Sequence, residues 1–192
     1  SFKVIHKWKR LHSCSFKVIH KWKRLHSSKL FTHPRLTVYE DDVELPGGLR
    51  TKYLHFGDMP DSAMIVARRK DGKILVQKEY SYPPNEVLFQ LPGGAINRDE
   101  KPEEGATREF AEEAGYTGEL SLIGWFYVHN RRSKSKMYIY LATDLVEVAK
   151  SPDPEEALED YWFSESEIDE MIRTNEIRNY TLLAGWAIYK TK

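Results

Sequence analysis

A Pro-Gly-Gly turn that opens onto a short acidic helix, PGGAINRDEKPEEGATREFAEEAGY at residues 92–116, constrains this chain more than any other stretch of it. Pro102 suits a first helical position, Glu103 and Glu104 suit the positive end of a helix dipole, and Gly115 suits the left-handed residue that terminates one. At about 100° per residue, Ala106, Phe110 and Ala114 fall within about 80° of one another, and Glu109, Glu112 and Glu113 are read as the face opposite them. One face is therefore expected to pack on a sheet while the other offers carboxylates. Like charges three and four residues apart weaken an isolated helix by roughly a few tenths of a kcal/mol each. Glu109 meets both Glu112 and Glu113 at those spacings, and a bound cation would relieve the repulsion. Magnesium prefers oxygen ligands and keeps part of its water, which suits such a face. Arg108 has an internal role open to it, since its guanidinium can clamp Glu100 or Glu112 and fix the loop on the helix. Taken alone, the acidic face also reads as an ordinary solvated surface.

The spacing resembles the Nudix box, G-x5-E-x7-R-E-U-x-E-E-x-G-U, where U is a bulky apolar residue. Gly94, Glu100 and the run Arg108-Glu109-Phe110-Ala111-Glu112-Glu113-Ala114-Gly115-Tyr116 match every fixed position. The two U positions are aromatic here, Phe110 and Tyr116, where aliphatic residues are usual. The resemblance implies an α/β/α sandwich around a mixed sheet and hydrolysis of a phosphate anhydride with Mg²⁺ or Mn²⁺. It implies Glu109 and Glu113 as the principal metal ligands, Glu112 in support and in catalysis with Arg108, and a contribution from the Gly93 carbonyl. Glu100 is expected to be structural. Metal ions of this kind neutralise a diphosphate and lower the pKa of an attacking water.

Outside the box, residues 28–192 look like the ADP-ribose pyrophosphatase branch of that family. The likeness includes the leading PRLTVYEDDVELPGG, the strand ending in Gln90-Leu91-Pro92-Gly93-Gly94, and Glu155-Glu156-Ala157-Leu158-Glu159 ahead of Tyr161-Trp162-Phe163. It implies a homodimer with exchanged leading strands, the partner helping to bind the adenosine half. It also implies a late-loop glutamate that acts as base or positions water, for which Glu156 aligns best, with Glu155 and Glu159 as rivals. The chain departs from the branch in two places. Lys78-Glu79-Tyr80-Ser81 replaces the usual Arg-Gln-Tyr-Arg, and the loop Asn130 to Lys136 replaces a Pro-Gly-rich one. Arg131 and Arg132, with Lys134 and Lys136, are candidates to bind substrate phosphate instead, and a solvated hairpin tip is the competing reading. Tyr80, Tyr39 and Phe56 are candidates to stack a base, though an aromatic on a strand is more often core. The implied reaction is cleavage of a nucleoside diphosphate-sugar, ADP-ribose to AMP and ribose 5-phosphate in preference. The alternatives are another nucleotide sugar, a dinucleoside polyphosphate, or a non-catalytic nucleotide-binding module.

Periodicity and turn residues organise the rest. Residues 36–40 and 42–45 read as two short strands, and residues 49–56 return after Pro46-Gly47-Gly48, a small antiparallel meander. Residues 62–67, 74–80, 87–91, 120–128, 137–145 and 161–163 read as further strands. Ser164 with Glu167 three residues on makes a capping box for a helix through Arg173, and residues 181–189 read as a closing helix. Strands and helices thus mix in an α/β order with antiparallel hairpins.

Residues 1–13 recur identically as residues 15–27. The repeat is either a duplication without function or a basic amphipathic arm suited to anionic lipid. The expected organisation is therefore a duplicated segment (1–27), a meander (28–57) and a Nudix hydrolase domain (58–192). The net charge of zero conceals a division: residues 1–27 hold eight basic and no acidic side chains, the remainder 21 basic and 29 acidic. An acidic body argues against nucleic acid as a partner. No apolar run reaches about 18 residues, so a membrane span is not expected. One cysteine, Cys14, rules out an internal disulfide and suits the cytoplasm.

Overall fold

The computed structural model describes residues 19–57, 59–151 and 157–192. Among the described residues nine strands and three helices follow in the order β1 (Lys23–His33), β2 (Leu36–Glu44), β3 (Arg50–Gly57), β4 (Ser62–Ala67), β5 (Ile74–Ser81), β6 (Glu86–Gln90), α1 (Pro102–Glu109, continuing as one π-helical turn through Phe110–Ala114), β7 (Tyr116–Tyr127), β8 (Lys136–Glu147), β9 (Glu159–Phe163), α2 (Glu165–Arg173) and α3 (Tyr180–Tyr189).

The strands form three three-stranded sheets, ordered β1-β2-β3, β4-β8-β7 and β6-β5-β9. The second is mixed, with β4 parallel to β8 and β7 antiparallel to it. The first is the expected meander, but it differs in two respects. Residues 36–44 form one continuous strand, because Asp41 is accommodated in the ladder opposite Tyr53 rather than breaking it. The sheet also begins earlier than Ser28: β1 starts at Lys23, inside the second copy of the repeat, and pairs with β2 from Lys23↔Glu44 to His33↔Leu36. The basic segment's end is thus a strand of the meander.

Period-two alternation along β4 explains the layering. Ala63, Ile65 and Ala67 pack with Ala106, Phe110 and Ala114 of α1, whereas Met64 and Val66 pack with Ile168, Met171, Leu182 and Trp186 of α2 and α3. A strand covered on both faces reads as a continuous apolar run, which is why residues 63–67 carry no polar side chain. The result is an α/β/α sandwich, each large buried side chain contributing roughly 1.5–3 kcal/mol against exposure. The capping box at α2 is formed: Glu167 N–H donates to Ser164 Oγ at 3.3 Å and Ser164 N–H to Glu167 Oε2 at 2.7 Å. Among the described residues no helix is long and apolar enough to cross a membrane.

Candidate active site

The turn at residues 92–94 lies flat against β4. Ile65 N–H donates to the Pro92 carbonyl at 2.9 Å and Ala63 N–H to the Gly94 carbonyl at 3.0 Å. Gly93 has φ 134°, and a Cβ there would overlap the Ala63 carbonyl oxygen, so the close approach admits only glycine. Its own N–H faces the helix and donates to Glu113 Oε2 at 2.9 Å. A Cβ on Gly94 would stand 2.7 Å from Glu109 Oε2. Both carboxylates therefore converge on the Gly93–Gly94 backbone.

Ala106, Phe110 and Ala114 are buried as the helical periodicity predicts. Glu113 is not on a solvated face: it is 7% exposed. The reason lies in the winding. Three residues past Phe110 at about 100° each, Glu113 falls about 60° from Phe110 and about 20° from Ala106, at the edge of the apolar face rather than opposite it, and the helix ends in one π turn over Phe110–Ala114. Gly115 then ends it in the left-handed region, φ 71°. Glu112 remains on the outer side.

Arg108 ties the cluster together. Its Nε and Nη2 grip Glu100 at 2.7 and 3.0 Å, Nη1 donates to Glu109 Oε1 at 2.8 Å and Glu112 Oε2 at 3.0 Å, and Nη2 also reaches the Ala95 carbonyl at 3.0 Å. All five guanidinium donors are thereby used, which no lysine could reproduce. Glu100 also accepts from Asn97 N–H at 2.9 Å. The Arg108 guanidinium first, and the Asn97 N–H second, hold the Glu100 carboxyl down at about 2, from the usual 4.5. A carboxyl depressed on folding adds stability above its unfolded value and loses it as pH falls through the folded one. The wild type is accordingly expected to lose stability relative to Glu100→Gln between about pH 4.5 and 2, and to keep its full advantage above. Urea unfolding midpoints across that range test this, and parallel curves for the two proteins would refute it.

The donor set suits a hard divalent cation, being entirely oxygen: three carboxylates and the backbone of the turn they meet. Among the described residues, no three acidic, histidine or cysteine side chains form a closed metal cage. Arg108 Nη1 stands between Glu109 and Glu112 instead. An ion that retains several waters and uses one or two carboxylates does not require a closed cage, so the residues fit such a metal.

The other predicted residues lie apart. Glu156 and its rival Glu155 fall outside the described residues, while Glu159, on β9, accepts from the Tyr161 hydroxyl at 2.7 Å. The loop carrying Arg131 and Arg132 docks on β3. Phe56 N–H donates to the Arg132 carbonyl at 2.6 Å, the Tyr53 hydroxyl to the Arg131 carbonyl, and Arg132 Nη1 to the Leu54 carbonyl at 3.2 Å. The Arg132 guanidinium is therefore a brace between loop and meander. Arg131 borders a cavity of about 560 Å³ with Arg24, Tyr39, Asp41, His55 and Lys134. Lys134 also borders a second cavity of about 690 Å³ that reaches Asn97, Arg98 and Glu100 at the start of the box helix. Tyr80 does not join them: it sits on the β5–β6 hairpin, half exposed, with its hydroxyl on Asn85 at 2.9 Å.

Sequence reasoning missed a buried acid beneath the first cavity. Asp41 lies with His55, Nε2 to Oδ2 at 3.1 Å, and the His55 ring stacks on Tyr39. Burial is the largest single influence on the Asp41 carboxyl and pushes it up, but the Ser27 hydroxyl, His55 and Arg24 together outweigh it and hold it below the ordinary range. The available signal was Tyr39-Asp41-Val43, an acid on the inward phase of a strand.

Comparison with known proteins bears on the family and the fold. The NUDIX domain model matches residues 58–184. An ADP-ribose pyrophosphatase of Bacillus subtilis is 30% identical over 118 residues, which cover 61% of this chain and 63% of that protein, just under two thirds of its length. A CMP-5'-(N-acetyl-N-hydroxy-3-aminopropyl)phosphonate hydrolase of Streptomyces rubellomurinus is 31% identical over 154 residues, covering 80% of this chain and 72% of that one. The crystal structure of an ADP compounds hydrolase superposes with a TM-score of 0.83 at 21% identity, covering 91% of this chain and 95% of the other, a likeness of fold. With the box intact in sequence and folded as a turn-and-helix unit, the chain belongs to the NUDIX domain family.

Proposed function

We propose that this chain hydrolyses the diphosphate of a nucleoside diphosphate-sugar, with ADP-ribose preferred and AMP and ribose 5-phosphate as products. The observation that carries this reading is the convergence of Glu109 and Glu113 on the Gly93–Gly94 turn, with Glu112 drawn into the same cluster by Arg108. Mg²⁺ or Mn²⁺, held by Glu109, Glu112, Glu113 and the Gly93 carbonyl, would neutralise the diphosphate and acidify a bound water. Arg108 acts within the protein, holding Glu109 and Glu112 in place through its grip on Glu100. Glu156, on the segment that follows Ser151, is the candidate to take the proton of the attacking water. That water adds to one phosphorus, and the bridging oxygen leaves with the other.

The cavity beside β2 and β3 supports a nucleotide as the larger half of the substrate. It combines the Tyr39–His55 stack with the cations Arg24, Arg131 and Lys134, and Lys134 links it to the cavity at the box helix. Tyr80 remains a candidate only for a ligand that also reaches the β5–β6 hairpin. A homodimer and a cytoplasmic location complete the proposal. The longer match to the CMP-phosphonate hydrolase favours a second reading, in which the same chemistry acts on another nucleotide conjugate.

A substrate panel with Mg²⁺ in ¹⁸O-water, products read by mass spectrometry, tests both readings. AMP and ribose 5-phosphate with a single ¹⁸O between them is the expected result. Preferential cleavage of a CMP conjugate would select the second reading, and no cleavage of any diphosphate would overturn both.

A further inference from the structure

Gln77 is a fully buried amide on β5, beneath the site and outside the box. Its Nε2 donates twice: to the Glu113 backbone carbonyl at 3.3 Å and to Asp160 Oδ1 at 3.0 Å. The opposite amide orientation would set Oε1 against two acceptors, so these partners fix the way the side chain faces. In the adopted orientation Oε1 is buried with no hydrogen-bond partner among the described residues. A buried acceptor is thus left unserved so that both donors can be used.

Those two donors join the two halves of the site. Glu113 is held from both directions, its carboxylate by Gly93 N–H and its carbonyl by Gln77. The carbonyl belongs to the last turn of the box helix, where the backbone lacks an internal partner. The neighbouring carbonyl, that of Glu112, accepts from Ser151 N–H at 3.0 Å. Asp160, the other partner of Gln77, binds Lys150 through Oδ2. Lys150 and Asp160 flank residues 151–159, so their ion pair closes the base of the acidic segment. The β5–β9 register sets Gln77 directly opposite Asp160.

We infer that Gln77 is a positioning residue that fixes the metal-binding end of the box helix and the root of the acidic segment relative to each other. It touches no reacting atom. It acts through Glu113 on one side and through the Asp160–Lys150 pair on the other. The inference rests on the proposed hydrolytic function, but its test has arms that do not depend on turnover.

Gln77→Met keeps the length of the side chain and removes both donors. Without nucleotide present, Mn²⁺ binding measured by calorimetry is expected to weaken by about 10–100-fold, the usual effect of removing a group that orients a metal ligand. Amide exchange in residues 110–115 and 157–160 is expected to quicken together. On whichever substrate the wild type cleaves, kcat should fall by a similar factor, with KM within about twofold. Wild-type Mn²⁺ affinity and kcat in a variant that only unfolds at lower urea would reduce Gln77 to a core residue and overturn the inference. Should Gln77→Met fail to fold, Asp160→Ala tests the other half. It is expected to speed exchange at 157–160 and lower kcat while leaving Mn²⁺ affinity unchanged, and unaltered exchange and kcat would overturn the inference. A wild type that binds Mn²⁺ but cleaves nothing refutes the hydrolytic reading alone, leaving the metal and exchange arms to decide on Gln77.

Discussion

Replacing Glu113 with glutamine is expected to lower kcat by roughly a thousandfold, about 4 kcal/mol of transition-state stabilisation, while the protein stays folded. The two halves of that expectation have separate causes. Gln offers a carbonyl oxygen where Glu113 offers Oε2, so the hydrogen bond from Gly93 N–H survives and the turn keeps its place on the helix. The formal charge is what disappears. A neutral amide binds a divalent cation far less well than a carboxylate, so the charge that opposes the diphosphate is lost with the ligand. Circular dichroism and a urea midpoint close to the wild type would establish the fold. Turnover measured at saturating Mg²⁺ reads the chemistry. Activity close to wild type would remove Glu113 from the metal-binding role and with it the main support for the proposed mechanism.

That residue also shows where the sequence could be read and where it could not. The helix start at Pro102, its end at Gly115 and the buried set Ala106, Phe110 and Ala114 follow from local rules: a fixed φ, a left-handed stop and a 3.6-residue period. That Arg108 can clamp Glu100 or Glu112 was legible for a similar reason: Glu100 lies just ahead of the helix start and Glu112 one helical turn on, both within a guanidinium's reach, and the structure uses both. The π turn was not. It depends on how α1 seats against β4 and the Gly93–Gly94 turn, which is tertiary information; the burial of Glu113, by contrast, was open to the step of about 100°, which sets it beside Ala106 at the edge of the apolar face. Gln77 shows the same limit, since on β5 it reads as one polar residue in a strand. Its role exists only because strand pairing sets Asp160 opposite it and sheet-on-helix packing brings the Glu113 carbonyl to its amide. The meander was legible as strands and turns, but not its reach back to Lys23, since Lys23-Arg24-Leu25-His26 carries too little apolar periodicity to announce a strand.

Gly93→Ala is expected to be the most damaging single substitution to the fold of the site, costing roughly 2–5 kcal/mol from the sum of two effects. An L-residue at φ 134° is strained by about 1–2 kcal/mol whatever its surroundings. The added methyl would also overlap the Ala63 carbonyl oxygen and come within 2.8 Å of Met64 Cα, and forcing a methyl into a packed interior costs roughly another 1–3 kcal/mol. Neither obstacle can move cheaply, because both are backbone atoms of β4, a strand buried on both faces and paired along its length with β8. The turn must move instead. Such a shift strains the bonds of Pro92 and Gly94 to Ile65 and Ala63, and it draws the Gly93 N–H away from Glu113. The variant should therefore lose Mn²⁺ affinity as well as stability, unlike Gly72→Ala, where a positive-φ glycine has open space around its Cβ position and only the backbone strain applies. Measuring urea stability and Mn²⁺ binding for the pair separates the two contributions. Equal destabilisation of both variants would mean that the close approach of the turn to β4 contributes nothing, and that strain alone holds glycine at position 93.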